Sequence, residues 1–266
     1  MPELAALQER IRELGDVIVA FSGGADSAFL AFVAHDTLGV DHVVAATAVS
    51  PSLAGDELTD CRALAGEWGL RFIEVTTEEV DNDDYRANDG DRCYWCKSSL
   101  MDALVPLAEG SGSSIALGVN IDDLGEHRPG QRAAAERGAV FPLVDAGFTK
   151  ADVRSWSQRL GLRTWDKPAA ACLASRVPYG TSVTIEVLGR IERAERALRA
   201  LGFRELRVRH YEDTARLEVP LYDLDRVLAR RDDVVAAVRG AGYGYVTLDL
   251  EGLRSGNLNA ALDAPS

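Results

Sequence analysis

Long apolar runs are missing from this chain: no stretch approaches the roughly 18–20 residues that span a bilayer. The opening Met1-Pro2-Glu3-Leu4 is acidic and amphipathic, not the basic-then-apolar pattern of a secretory leader. Both absences lead to the expectation of a cytoplasmic protein with no membrane partner. Positive charge is scarce too. Against 42 Asp and Glu stand 29 Lys and Arg, a formal net charge of −13. A large nucleic-acid footprint needs clustered Lys and Arg, so no nucleic-acid partner is expected, although a local basic groove is compatible with an acidic whole. Cysteines number four in 266 residues, which in a cytosolic setting points to thiol, metal or cluster chemistry and not to disulfides. No internal repeat or low-complexity tract stands out.

What is present is a regular alternation. Short apolar runs over 17–21, 42–49, 70–75 and 114–119 read as buried strands. Helical patterns cover 3–14, 28–38, 54–68, 97–108, 128–137 and 150–160, with a polar, acidic loop over 78–91 and a short apolar run over 140–143. Strands alternating with helices of this length predict an α/β fold whose parallel sheet is covered on both faces. The composition shifts near Lys167-Pro168. Residues 169–182 read as a loop, followed by a helix over 184–201, strands over 205–210 and 215–219, a helical region over 221–239 and a last strand over 243–248. The expected organisation is a nucleotide domain at 1–166 and a smaller α+β domain at 167–266, since the length exceeds that of one ordinary domain.

Ser22-Gly23-Gly24-Ala25-Asp26-Ser27 joins the first strand to a helix. Two glycines allow a tight turn whose amides face an anion, and the helix N-terminus adds free N–H groups and partial positive charge. Ser22 and Ser27 offer hydroxyl donors, and Asp26 offers a carboxylate for Mg²⁺. No Lys follows the glycines, which excludes the P-loop of ordinary nucleotide hydrolases; the plainer reading is a capped strand–helix turn. The hexapeptide resembles the PP-loop of the ATP-pyrophosphatase superfamily, a Rossmann-like fold. That resemblance implies ATP cleaved between its α and β phosphates, with the loop holding pyrophosphate. It also implies that Ala46 and its strand line the adenine pocket, with Gly118 and Asn120 near the same site, in keeping with ligand binding at strand C-terminal ends. The acceptor is left open by the superfamily and must be read elsewhere.

Cys93-Tyr94-Trp95-Cys96 lies just before a predicted helix, between Arg92 and Lys97, a setting that favours thiolate. A CxxC pair alone serves as a redox pair, half a zinc site or two core cysteines. No His stands at finger spacing, which weakens zinc. Cys172 follows about 75 residues later among small residues, and three cysteines without a fourth fit a 4Fe–4S cluster with one open iron. Cys61, alone in a predicted helix, reads as a small buried hydrophobe. Arg207 and Arg209 share one face of a strand by their period-two spacing, Arg216 and Glu218 alternate on the next, and Arg176 lies four residues after Cys172.

Beyond the phosphate loop, several blocks resemble the LarE family, ATP-dependent sacrificial sulfur transferases of nickel-pincer nucleotide cofactor synthesis. They are Asp91-Arg92-Cys93-Tyr94-Trp95-Cys96-Lys97, Gly118-Val119-Asn120-Ile121-Asp122-Asp123-Leu124-Gly125-Glu126-His127-Arg128-Pro129-Gly130, Lys167-Pro168 with Ala171-Cys172-Leu173-Ala174-Ser175-Arg176, Arg207-Val208-Arg209, and Leu250-Glu251-Gly252-Leu253-Arg254-Ser255-Gly256. The resemblance implies ATP and Mg²⁺ as cofactors and adenylation of a pyridinium dicarboxylate mononucleotide. It further implies catalytic roles for Cys172, Asp26 and Arg176, and substrate contacts from Trp95, Glu126, Arg176, Arg207, Arg209 and Glu218. Single-cysteine members give up the sulfur of the residue matching Cys172; three-cysteine members hold a cluster, here by Cys93, Cys96 and Cys172. A homo-oligomer, hexameric by the same resemblance, is implied. The alternatives are a tRNA thiolase of the same superfamily, an ammonia-using synthetase, and a non-catalytic nucleotide sensor.

Overall fold

The computed structural model describes residues 2–125, 129–168 and 171–254. The chain divides into two compact units, one formed by residues up to 79 together with 93–170, the other by 80–92 together with 171 onward.

In the first unit the elements run α1 (Leu4–Leu14), β1 (Val17–Ala20), α2 (Ala25–Leu38), β2 (Val43–Val49), α3 (Gly55–Trp68) and β3 (Arg71–Thr76). After the excursion into the other unit, where the short helix α4 (Asp83–Ala87) lies, come α5 (Arg92–Ser111), β4 (Ser114–Leu117), α6 (Pro129–Glu136), α7 (Pro142–Asp145) and α8 (Lys150–Arg159). The strands pair in the order β3-β2-β1-β4, all parallel. Alternation along β1 sends Val17 and Val19 to one face, with Leu7, Phe29, Leu64 and Val153, and Ile18 to the other, with Met101, Leu104 and Ala134. Helices therefore cover both faces, as the alternating pattern predicts. The chain leaves β1 first toward β2 and β3, then returns to place β4 on the opposite side. The loops after β1 and β4 diverge at this switch point, where such sheets bind ligands.

The second unit continues with α9 (Ile185–Ala200), β5 (Arg207–Tyr211), β6 (Thr214–Glu218), α10 (Leu224–Ala229), α11 (Arg231–Gly240) and β7 (Tyr245–Leu248). β5 and β6 are antiparallel and β7 joins β6 in parallel. Leu198, Phe203, Val208, Leu217 and Val238 fill the core between sheet and helices.

Three local features differ from expectation. The acidic stretch expected to be a loop contains α4, because the Asn82 side chain caps the amides of Asp84 and Tyr85 and Tyr85 is buried. α5 begins at Arg92, so the CxxC pair lies inside the first turns of the helix and not ahead of it. α2 likewise starts at Ala25, within the phosphate-loop motif. Among the described residues, no helix is long and apolar enough to cross a membrane.

Candidate active site

The phosphate loop is built by one departure from ordinary backbone and a set of local hydrogen bonds. Gly23 has φ +68, a left-handed conformation that disfavours any side chain. A Cβ there would also meet Cys61 Sγ at 2.8 Å. Ser22 and Ser27 hydroxyls lie 3.0 Å apart, the Ser22 amide donates to Ser27 Oγ at 3.2 Å, and Thr47 Oγ1 donates to the Phe21 carbonyl at 2.6 Å. At the end of β4, Gly118 passes so close to α2 that a Cβ would stand 2.7 Å from the Ser27 amide nitrogen. Buried Asn120 donates from Nδ2 to Asp26 Oδ1 at 3.1 Å, and the Lys150 ammonium pairs with Asp26 Oδ2. Six residues expected at the nucleotide, namely Ser22, Gly23, Gly24, Asp26, Ser27 and Asn120, are thus brought together with Gly118 at the strand C-terminal ends. Ala46 differs: its methyl is 1% exposed and packs in the core, so any contact from this position falls to the backbone of β2.

Beneath the loop lies a charged chain that sequence reasoning did not anticipate. Lys167 Nζ donates to Glu57 at 2.8 Å and Asp60 at 2.7 Å, and Arg163 bonds Asp60 at 2.6 Å and Glu67 at 3.0 Å. Burial alone would lower the Lys167 pKa, but Asp60 and Glu57 hold it above its ordinary value. Burial pushes the Cys61 thiol up, consistent with its inert packing role.

On α5, Cys93 and Cys96 stand one turn apart on the same face, Cys93 exposed and Cys96 half-buried. Beside them, Gly130 lets α6 approach, since a Cβ would lie 3.0 Å from the Cys93 carbonyl. Trp95 is half-buried and meets Tyr94 edge to face at 5.2 Å, while Tyr94 donates to Glu136 at 2.6 Å.

In the second unit, exposed Cys172 caps a single 3-10 turn, Leu173–Arg176. Three buried clamps shape this loop. Arg176 binds Glu195 with two nitrogens, at 2.8 and 3.2 Å, and its third nitrogen donates to the carbonyls of Ala171 and Cys172 and to Ser175 Oγ. Arg209 donates to the Ser175 carbonyl at 2.7 Å and to Glu218 at 2.8 Å. Asn88 donates to the carbonyls of Val177, Pro178 and Thr181 and accepts from Arg92, which also donates to the Ala174 carbonyl at 2.9 Å. Asn88 holds φ 55, a conformation Asn tolerates better than most residues.

This arrangement sorts the arginines. Arg176, expected to face substrate anions, is committed on every nitrogen to Glu195 and to the Cys172 loop. Its geometry is that of a positioning residue. Glu218 is likewise occupied by Arg209 and Arg216. Arg207, in contrast, is half-buried, donates to the Arg254 carbonyl at 3.0 Å, and has no carboxylate partner among the described residues. Burial, then the charges of Arg209 and Arg176, lower its pKa, the mark of a guanidinium short of anions. Glu195 escaped the sequence reading, although its place beside Leu188, Ile191, Ala194 and Leu198 on the apolar face of α9 is the signal that marks it.

The fit of the implied groups differs. Mg²⁺ is bound through one or two carboxylates together with phosphate oxygens, and Asp26 supplies one carboxylate on the loop itself. For a cluster, the first unit supplies Cys93 and Cys96 and the second supplies Cys172. Among the described residues no three His, Cys, Asp or Glu side chains are gathered as a metal site. Glu126 lies outside the described residues.

No family model matches the chain. It is 46% identical over 263 residues to an uncharacterised protein of Synechocystis sp., covering 98% of each chain. It is 26% identical over 240 residues to an uncharacterised protein of Methanocaldococcus jannaschii, covering 90% of this chain and 91% of that one. With the pyridinium-3,5-bisthiocarboxylic acid mononucleotide synthase of Lactiplantibacillus plantarum it shares 38% identity over 259 residues, 97% of this chain and 94% of the relative. Identity at that level across almost the whole of both chains means that this chain, an α/β sheet with a glycine loop after its first strand, belongs to the LarE family.

Proposed function

We propose that the protein is an ATP-dependent, AMP-forming sulfur transferase that converts pyridinium-3,5-biscarboxylic acid mononucleotide to a thiocarboxylate. Its relative from Lactiplantibacillus plantarum is named for the bisthiocarboxylic product. In this reading the Ser22–Ser27 loop holds the β and γ phosphates, and Asp26 would hold Mg²⁺, which when bound would neutralise phosphate charge. A substrate carboxylate oxygen attacks the α-phosphorus, the bond to the bridging oxygen breaks, and pyrophosphate leaves. The acyl adenylate then carries AMP as a leaving group, which oxide is not. Sulfur attacks the carbonyl carbon and AMP departs. Arg207 meets the phosphate or the second carboxylate of the nucleotide, and Trp95 stacks on its pyridinium ring.

The observation that carries this reading is the exposed Cys172 thiol on a loop that buried Arg176, Arg209 and Arg92 hold in one shape. Two sulfur sources use that thiol. With Cys93, Cys96 and Cys172 as ligands, a 4Fe–4S cluster would present sulfide at an iron the protein does not bind. In the second, Cys172 forms a thioester; a base then removes its Cα proton, the Cβ–S bond breaks, and dehydroalanine remains. The test is anaerobic purification followed by iron assay and one turnover with ATP and the dicarboxylate nucleotide. Stoichiometric iron with intact protein mass supports the cluster, and loss of H₂S from the protein without iron supports sacrifice. AMP formation without any sulfur gain by the nucleotide overturns both.

We also propose self-association through the second unit. Ile185, Leu221, Tyr222, Leu228, Tyr245 and Leu250 are each at least 60% exposed there, large apolar side chains that a partner copy would cover.

A further inference from the structure

The glycine loop contains no lysine, yet the fold delivers two to it from remote parts of the chain. Lys150 opens α8, where a Thr149–Asp152 capping box and a bond from its own amide to Asp122 at 2.8 Å fix the backbone. Its ammonium pairs with Asp26, the acidic residue of the loop. Lys167 arrives from beyond α8, and its Nζ lies 3.8 Å from the position a Gly23 Cβ would take. An ammonium has three donors. Lys167 uses two, on Glu57 and Asp60, and Lys150 uses one. Asp60 is already bonded to Arg163, so it does not depend on Lys167 for a cation.

We propose that Lys150 and Lys167 are the phosphate cations of the Ser22–Ser27 loop, replacing from outside the motif the lysine that ordinary phosphate loops carry within it. They bind the β and γ phosphates of ATP and the pyrophosphate it releases. The carboxylates around them act as positioners that hold each ammonium, extended and charged, at the glycine turn. A cation tied to neighbouring carboxylates is pre-organised, and less side-chain freedom is lost when phosphate arrives. This inference rests on the proposed ATP site and adds to it the residues that select a triphosphate over a monophosphate.

The test is isothermal titration of the full-length protein with ATP, AMP and inorganic pyrophosphate, for wild type, Lys150→Ala and Lys167→Ala. Because charge-assisted hydrogen bonds are lost, each substitution should weaken ATP and pyrophosphate roughly ten- to hundred-fold. AMP affinity should stay within about two-fold of wild type, since neither lysine reaches the α-phosphate in this reading. Lys150→Arg and Lys167→Arg should recover part of the loss. Lys167→Ala leaves two carboxylates without their shared ammonium, so a Lys167→Gln/Glu57→Gln protein provides a folded comparison, checked by thermal unfolding. Folded variants that bind ATP like wild type, or lose ATP and AMP equally, overturn the assignment. A wild-type protein that binds neither ATP nor AMP overturns the nucleotide reading itself.

Discussion

At the scale of single residues, the site depends on small clearances and on buried charges held by their partners. Gly118 is the sharper case, because the atom a Cβ would strike is backbone, the Ser27 amide nitrogen, and not a movable side chain. Gly118→Ala should destabilise the protein by about 1–3 kcal/mol through overpacking and should abolish ATP binding by displacing the first turn of α2. Titration calorimetry beside thermal unfolding checks both. Glu195 is fully buried, takes both Arg176 and Arg199, and accepts the Val208 amide. Glu195→Ala leaves the Arg176 guanidinium buried without its carboxylate, and the expected loss is roughly 3–5 kcal/mol. Urea unfolding of the variant measures it, and faster alkylation of Cys172 by a small thiol reagent should accompany it. Lys150 and Glu195 show what a linear reading misses. Their types were ordinary in context, and only the three-dimensional placement of a helix start or an apolar face gives them partners.

At the scale of elements, the parallel sheet, its two covering layers and the glycine turn were legible in the sequence, because apolar runs of five to eight residues separated by helical periods leave few other folds. The boundaries were less so. α4 arises from one asparagine cap in an acidic stretch, and α5 takes in the CxxC pair, which no break in periodicity announces. The three-stranded sheet of the second unit makes a pH-dependent contribution. On β5, opposite the arginine face, His210 is buried beside Tyr243, its Nδ1 3.2 Å from the phenol oxygen. Burial, then the Arg190 charge, holds the His210 pKa below its ordinary value of about 6.5. The unfolded chain therefore binds more protons near this range than the folded one. The stability His210 contributes is complete above its unfolded value and is lost as pH falls through and below about 6.5. His210→Gln should flatten that part of the stability–pH curve, as measured by denaturant unfolding between pH 5 and pH 8. An unchanged curve would remove His210 from the account.

At the scale of the whole molecule, two units divide the chemistry. The first carries the glycine loop, Asp26, Asn120, two lysines and the CxxC helix; the second carries Cys172, its clamps and Arg207. A chain of net charge −13 that still sets cations at these places suits a small anionic nucleotide better than a nucleic-acid backbone. The apolar residues exposed on the second unit predict a homo-oligomer. Leu221→Asp/Tyr222→Ser should lower the mass found by light scattering while leaving each unit folded.

The central claim is that sulfur, held at Cys172, reaches a carboxylate activated by ATP. Mass spectrometry of the pyridinium dicarboxylate nucleotide after incubation with the protein, ATP and Mg²⁺ tests it most directly. The prediction is exchange of a carboxylate oxygen for sulfur, matched by AMP and pyrophosphate and lost in Cys172→Ser. AMP release with no sulfur in the nucleotide, or undiminished sulfur transfer by Cys172→Ser, would contradict it.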